Sequence, residues 1–200
     1  MDLFSADGAM APIPLEDGEL HFLERLALPG GAADGDLLAR LIAETAWRAE
    51  HITVWGKRHA QPRLTAWHGT ARYRYSGMTL APLPFTALQL QLKEAVELAC
   101  GRGFNSVLLN YYRDQNDSMG FHSDNEGELG EEPAIASLSI GAPRIFILKH
   151  KRLPKTVKLS LGNGSLLLMA GKTQENWQHG INKERHFHGP RVNLTFRNIV

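Results

Sequence analysis

After residue 104 the sequence changes period. The runs "NSVLLNYY", "AIASLSI", "RIFILKH", "TVKLSLG", "SLLLMA" and "RVNLTFRNI" are short, rich in β-forming residues and separated by Gly, Pro, Asn or Lys turns. Strands this short and this closely spaced bury their apolar faces only by closing into a sandwich or jelly roll. "LGNG" ahead of "SLLLMA" reads as a hairpin turn. Upstream, "DGDLLARLIAETAW" opens with capping residues and places apolar side chains at helical spacing. "PFTALQLQLKEAVELAC" begins with proline at a helix start and gives a second helix. The expectation is a mainly β chain with an N-terminal α/β extension: a double-stranded β-helix (jelly roll) supported by helices. Residues 1–15, rich in Ala, Pro and Gly, read as a flexible N-terminus. Residues 16–103 form the extension and 104–200 the core, with no repeat or linker dividing them.

Composition narrows the function classes. Hydrophobic residues make up 43% of the chain, enough for a real core. Cys100 is the one cysteine, which excludes a disulfide framework or a thiolate metal cluster. The acidic start lacks a basic region followed by an apolar run, and no run of about 18 apolar residues occurs. A cytoplasmic, membrane-free and monomeric protein is expected. Net charge is only +1, but it is unevenly spread. Between His51 and Gln91 there is no acid, while Lys57, Arg58, Arg63, Arg72 and Arg74 fall there among Trp55, Trp67, Tyr73 and Tyr75. A second acid-free tract follows Pro133 and carries Arg144, Lys149, Lys151 and Arg152. Basic tracts interleaved with aromatics suit a phosphate backbone and stacked bases.

"SMGFHSDNEGEL" then supplies chemistry. In extended chain, residues two apart share a face, so His122 and Asp124 project side by side as lone-pair donors. With a later histidine they would form a two-histidine, one-carboxylate metal site with open positions. Spacing leaves His150, His179, His186 and His188 all open as the third donor. "RVNLTFR" places Arg191, Asn193, Thr195 and Arg197 on one face and Val192, Leu194 and Phe196 on the other. Arginines facing a β core are costly unless they meet an anion, and a planar guanidinium suits a carboxylate. Asn110 and Tyr112 form another same-face polar pair within an apolar strand.

Taken together, "NYY" at 110–112, "HSD" at 122–124, "WQHG" at 177–180 and "RVNLTFR" at 191–197 resemble the AlkB-type dioxygenases. These use iron(II) and 2-oxoglutarate, with O2, to remove alkyl groups from nucleic-acid bases. "YSGMTLAP" at 75–82 and "GPRVNLTFR" resemble the branch acting on double-stranded DNA. The resemblance implies His179 as third ligand beside His122 and Asp124. It implies that Arg191 and Tyr112 bind the distal carboxylate of 2-oxoglutarate, with Asn110, Asn193 and Arg197 nearer the metal and Arg197 paired to Asp124. It implies a nucleotide-recognition lid within 16–103, a flipped base between His122 and Tyr75 with Ser76 adjacent, and Glu126 accepting from its exocyclic amine. Trp55 would fill the gap left in a duplex. Lys57, Arg58 and Arg63, with Arg144, Lys151 and Arg152, would meet phosphates. The expected activity is demethylation of 1-methyladenine and 3-methylcytosine in DNA. RNA or a protein side chain is the alternative substrate, and a non-catalytic damaged-DNA-binding jelly roll the alternative class.

Overall fold

A computed structural model describes residues 9–28, 34–54, 57–70, 73–75, 78–80 and 82–200. Trp55 and Ser76 lie outside the described residues, as do the side chains of Lys57, Arg58 and Tyr75. In chain order the strands are β1 (Ala11–Ile13), β2 (Glu19–Leu23), β3 (His51–Val54), β4 (Lys57–Ala60), β5 (Leu64–Gly69), β6 (Tyr73–Tyr75) and β7 (Met78–Leu80). They continue with β8 (Ser106–Tyr112), β9 (Met119–His122), β10 (Ile135–Gly141), β11 (Arg144–His150), β12 (Thr156–Leu161), β13 (Leu166–Ala170), β14 (Trp177–Ile181) and β15 (Arg191–Arg197). Helices α1 (Asp34–Glu44), α2 (Ala87–Cys100) and the single turn α3 (Thr173–Asn176), with a 3-10 turn at Gly127–Leu129, complete the elements among the described residues.

A seven-stranded antiparallel sheet, ordered β1-β2-β13-β10-β15-β8-β5, faces a four-stranded sheet, β12-β11-β14-β9. The two make the expected jelly roll, and β3-β4 and β6-β7 are separate hairpins in the extension. Because side chains alternate along a strand, the large sheet feeds two cores. Val107, Leu109, Leu138, Val192, Leu194 and Phe196 pack outward against α1 and α2. Leu108, Tyr112, Ile135, Leu167 and Met169 point inward, toward Phe146, Leu148 and Ile181 of the small sheet. A sheet buried on both faces explains why β13 reads as an unbroken apolar run, LLLMA.

Both helices lie where the 3.6-residue period places them. α1 stops at Glu44, and Trp47 folds back to donate its indole N–H to Ile42 O at 2.9 Å. α2 starts later than its proline suggests. Thr86 is the N-cap, and its exchange with Gln89 completes a capping box. Ala11–Ile13, within the segment read as flexible, pair with Leu20–Phe22 of β2. The turn at "LGNG" is a correction. The strands on either side of it do not pair with one another: β12 bonds β11 in the small sheet, and β13 bonds β10 and β2 in the large one. The glycines and asparagine carry the chain around a corner between sheets, with Gly164 at φ +79° and Asn163 Oδ1 accepting from Gly141 N at 2.8 Å. Among the described residues no helix is long and apolar enough to cross a membrane.

Candidate active site

Strand pairing assembles the site. On β15, Arg191, Asn193, Thr195 and Arg197 face the gap between the sheets, opposite Tyr112, Asn110, Leu108 and Ser106 of β8. On the other side β10 places Gly141, Ser139 and Ser137 opposite the first three. Across the gap His179 of β14 pairs directly with His122 of β9, and Asp124 follows two residues past the end of β9. Three segments distant in sequence therefore meet at one end of the roll.

The donor atoms of His122, Asp124 and His179 all lie within 4.8 Å of one another. His122 Nε2 is 3.9 Å from one carboxylate oxygen of Asp124, and His179 Nε2 is 3.9 Å from the other. The Nδ1 of His122 faces Gly120 O at 2.9 Å, which leaves Nε2 as the lone-pair donor into the site. Phe146 stacks on the His179 ring at 5.2 Å. Of the other histidines, His150 turns away: its Nδ1 accepts from the Arg152 and Leu153 amides, and it packs edge-on against Trp177. His186 is exposed and His188 pairs with Glu184. Tyr111 faces the helices, where it packs on Trp47.

Electrostatics favour ligand-ready protonation states. Burial alone would raise the Asp124 carboxyl, but Arg197, donating to Oδ1 at 2.8 Å, and the two imidazoles bring it down to about 2. Burial lowers His179 to about 3, so its imidazole is neutral at physiological pH. The other Asp124 oxygen, Oδ2, is buried with no hydrogen-bond partner. An ionised oxygen left bare between two imidazole lone pairs is costly in isolation and satisfied by a cation. The donor set, two nitrogens and one carboxylate, fits iron(II) with positions to spare.

The cavity beside these residues runs from His122 past Asn110 and Met119 to Arg191. Arg191 is 1% exposed, donates to Ser139 Oγ at 2.9 Å, and leaves Nε and the other terminal nitrogen without partners. Burial lowers it only to about 10, so it stays charged. A buried guanidinium with free donors is a carboxylate site in waiting, and the residues fit 2-oxoglutarate. Tyr112 lies beneath it, ring to guanidinium 5.1 Å. Asn193 lines the cavity with its side chain held by the sheet: its amide nitrogen donates to Ser137 Oγ and Leu138 O, and its oxygen accepts from Thr195.

Arg63 and Arg144, read as phosphate contacts, are buried at 4% and 1% exposure. Arg63 donates to Asn110 Oδ1 at 2.8 Å, which turns the amide nitrogen of Asn110 away from it. Arg144 binds the carbonyls of Asp114, Asp117 and Asn182 and lies over Tyr112 at 5.6 Å. Lys151 and Arg152 donate to Gln174 O and Asn176 Oδ1. Sequence reasoning missed Ser137 and Ser139, although their alternation with Ala136, Leu138 and Ile140 carried the signal. It also missed Gln174, for which the sequence held none.

Two imidazoles and a carboxylate clustered at one end of a jelly roll, next to an anion-seeking buried arginine, define an iron- and oxo-acid-using oxygenase. The chain belongs to the 2OG-Fe(II) oxygenase superfamily, whose family model matches residues 22–197. It is 46% identical over 151 residues to bovine alpha-ketoglutarate-dependent dioxygenase alkB homolog 3, covering 70% of this chain and 53% of that protein. The human homolog 3 is 43% identical over 82% of this chain and 60% of its own length. Human DNA oxidative demethylase ALKBH2 is 40% identical over 74% of this chain and 61% of its own. The chain thus spans between half and two thirds of these relatives. A solved structure titled "The structure of OsALKBH1" shares the fold, with a TM-score of 0.62 at 17% identity over 94% of this chain and 99% of that one.

Proposed function

We propose that the chain is an iron(II)- and 2-oxoglutarate-dependent dioxygenase that demethylates N-alkylated bases, 1-methyladenine and 3-methylcytosine, in DNA. The observation that carries this reading is the convergence of His122, Asp124 and His179 on the cavity that Arg191 enters. When bound, iron(II) with 2-oxoglutarate supplies the oxidation: O2 is consumed as the oxo acid becomes succinate and CO2, and one oxygen atom converts N–CH3 to N–CH2OH, which leaves as formaldehyde. The three ligands hold the metal. Arg191 and Tyr112 would hold the distal carboxylate of 2-oxoglutarate, which would orient the cosubstrate in the cavity. Arg197 holds Asp124 in one rotamer, while Arg63 orients Asn110 at the cavity wall.

Substrate choice follows from charge and access. The methylated bases are cationic and have lost their pairing edge, which lowers the cost of flipping them out. His122 keeps 22% of its side chain exposed where Asp124 and His179 are sealed, so its ring offers a stacking face at the mouth. Glu126 presents a buried oxygen without a partner, suited to accept from an exocyclic amine. The hairpin β6-β7, which carries Tyr75, would close over the base from the other side, and Trp55 with Lys57 and Arg58 would engage the duplex. The names of the relatives, a DNA oxidative demethylase among them, support a nucleic-acid substrate.

The test is anaerobic loading with iron and 2-oxoglutarate, then air and a 1-methyladenine oligonucleotide. Formaldehyde should appear in step with the unmodified base. Bound iron and cosubstrate with no demethylation of single-stranded DNA, duplex DNA or RNA would reject the proposal. Turnover of RNA alone would move the substrate class. Trp55→Ala should slow reaction on duplex more than on single strands, and an equal loss on both would remove Trp55 from duplex opening.

A further inference from the structure

Asp124 is the ligand least supported by regular structure. β9 ends at His122, so Asp124 has no ladder partner. Arg197 fixes its carboxylate, but something must also fix its backbone, because a rigid guanidinium cannot hold an oxygen whose Cα wanders. Two contacts do this, one from α3 and one from the first residue of β14. Gln174 Oε1 accepts from Asp124 N at 2.9 Å, and Ser123 Oγ donates to Trp177 O at 2.7 Å.

The far end of this tether is itself immobilised. Thr173 Oγ1 accepts from Glu19 N at 2.9 Å and lies 2.7 Å from Ala170 O, tying α3 to β2 and β13. Asn176 donates to Asp17 O at 2.9 Å, and Lys151 Nζ caps Gln174 O at 2.8 Å. Gln174 is 1% exposed, and its Nε2 lies 3.6 Å from the sulfur of Met169, a residue lining the cavity. His179 sits on β14, five residues after Gln174. The tether therefore sets the distance between the carboxylate ligand and the third ligand, which the paired strands leave open at Asp124.

We infer that Gln174, assisted by Ser123, is a positioning residue for the metal: it holds the Asp124 backbone at the reach the His179 imidazole requires, and so sets metal affinity. This rests on the metal reading of the triad. The test measures manganese(II) binding to metal-free protein by the signal of free ion, for wild type, Gln174→Met and Ser123→Ala, with an unfolding midpoint for each. Gln174→Met keeps length and apolar volume while removing the acceptor. Outer partners of metal ligands typically change affinity by about 10–100-fold. A tenfold or greater rise in Kd is expected for Gln174→Met, and a smaller rise for Ser123→Ala.

A purely architectural glutamine would lower the unfolding midpoint yet leave Kd of the folded molecules unchanged. Folded Gln174→Met with wild-type Kd overturns the inference while the triad reading stands. Should Gln174→Met fail to fold, Ser123→Ala decides alone, and an unchanged Kd there overturns the tether. Wild-type protein that binds no manganese would end both the inference and the reading beneath it.

Discussion

Replacing Arg191 is the change that would separate the proposed cosubstrate binding from every other function of the site. Its free donors face the cavity, and hydrogen bonds to a charged partner contribute about 1.5–3 kcal/mol each. Arg191→Lys keeps charge but loses the planar fork. It should raise the KM for 2-oxoglutarate by about 10- to 100-fold, while DNA affinity by fluorescence anisotropy stays near wild type; equal losses in both would show that Arg191 does not face the oxo acid. Asp124→Asn keeps the shape and an acceptor for Arg197 but removes the ionised oxygen, so metal uptake should collapse with little change in DNA affinity. Residues at this scale were unevenly legible. The His-X-Asp pair and the two arginines announced themselves by polarity on faces that should have been apolar. His179 did not, because the choice among four histidines depends on which strand pairs with β9. Its register, His179 opposite His122 with a shift before Ile181, is a tertiary fact.

Elements show the same division. α1, α2 and the strands β8, β10 to β13 and β15 were readable because period and turn residues are local properties, whereas the short β9 and β14 were not among the runs that stood out. What a turn joins is not local. Asn-Gly sequences favour a two-residue hairpin, yet at residues 161–164 the chain changes sheets, and Asn163 spends its side chain on the Gly141 amide. Gly141 marks where that corner meets the start of β15, opposite Arg191. Its φ is +103°, and an added Cβ would lie 2.4 Å from Pro190 O, backbone that cannot yield cheaply. Gly141→Ala should destabilise the protein by more than about 1 kcal/mol in urea unfolding and displace the start of β15. A neutral result would mean that the Gly141–Pro190 approach is not tight in solution. For α2, Thr86→Ala removes the hydroxyl that accepts from Gln89 N, leaving the residue-86 amide to donate to Gln89 Oε1, and should cost about 1 kcal/mol in the same assay.

At the scale of the whole molecule, this roll keeps charged and polar groups where an ordinary sandwich would be dry. Arg63, Arg144, Arg191 and Arg197 are all at most 4% exposed. Two of them lay in tracts that read as basic surface, because a one-dimensional charge count cannot tell an inward from an outward strand face. The interior also holds imidazoles that resist protonation. Burial lowers His68, a tendency only partly countered by its bond to Pro84 O at 2.7 Å, and burial lowers His179. In the unfolded chain both would titrate near 6.5. As pH falls through that value the unfolded state takes up protons that the folded state refuses, so stability must drop. The loss begins near pH 6.5 and saturates only below the folded values, which for His179 is about 3. Asp124 adds a loss at lower pH, between its ordinary carboxyl range and about 2, as its bond to Arg197 is protonated away. Metal-free protein should therefore show a thermal midpoint that falls steadily from pH 7 to pH 5. His68→Gln, which can still donate to Pro84 O, should flatten part of that slope without touching the metal ligands. A midpoint flat across this interval would mean that the interior admits the charged imidazoles, and the dry, neutral environment argued for His179 would fall with it.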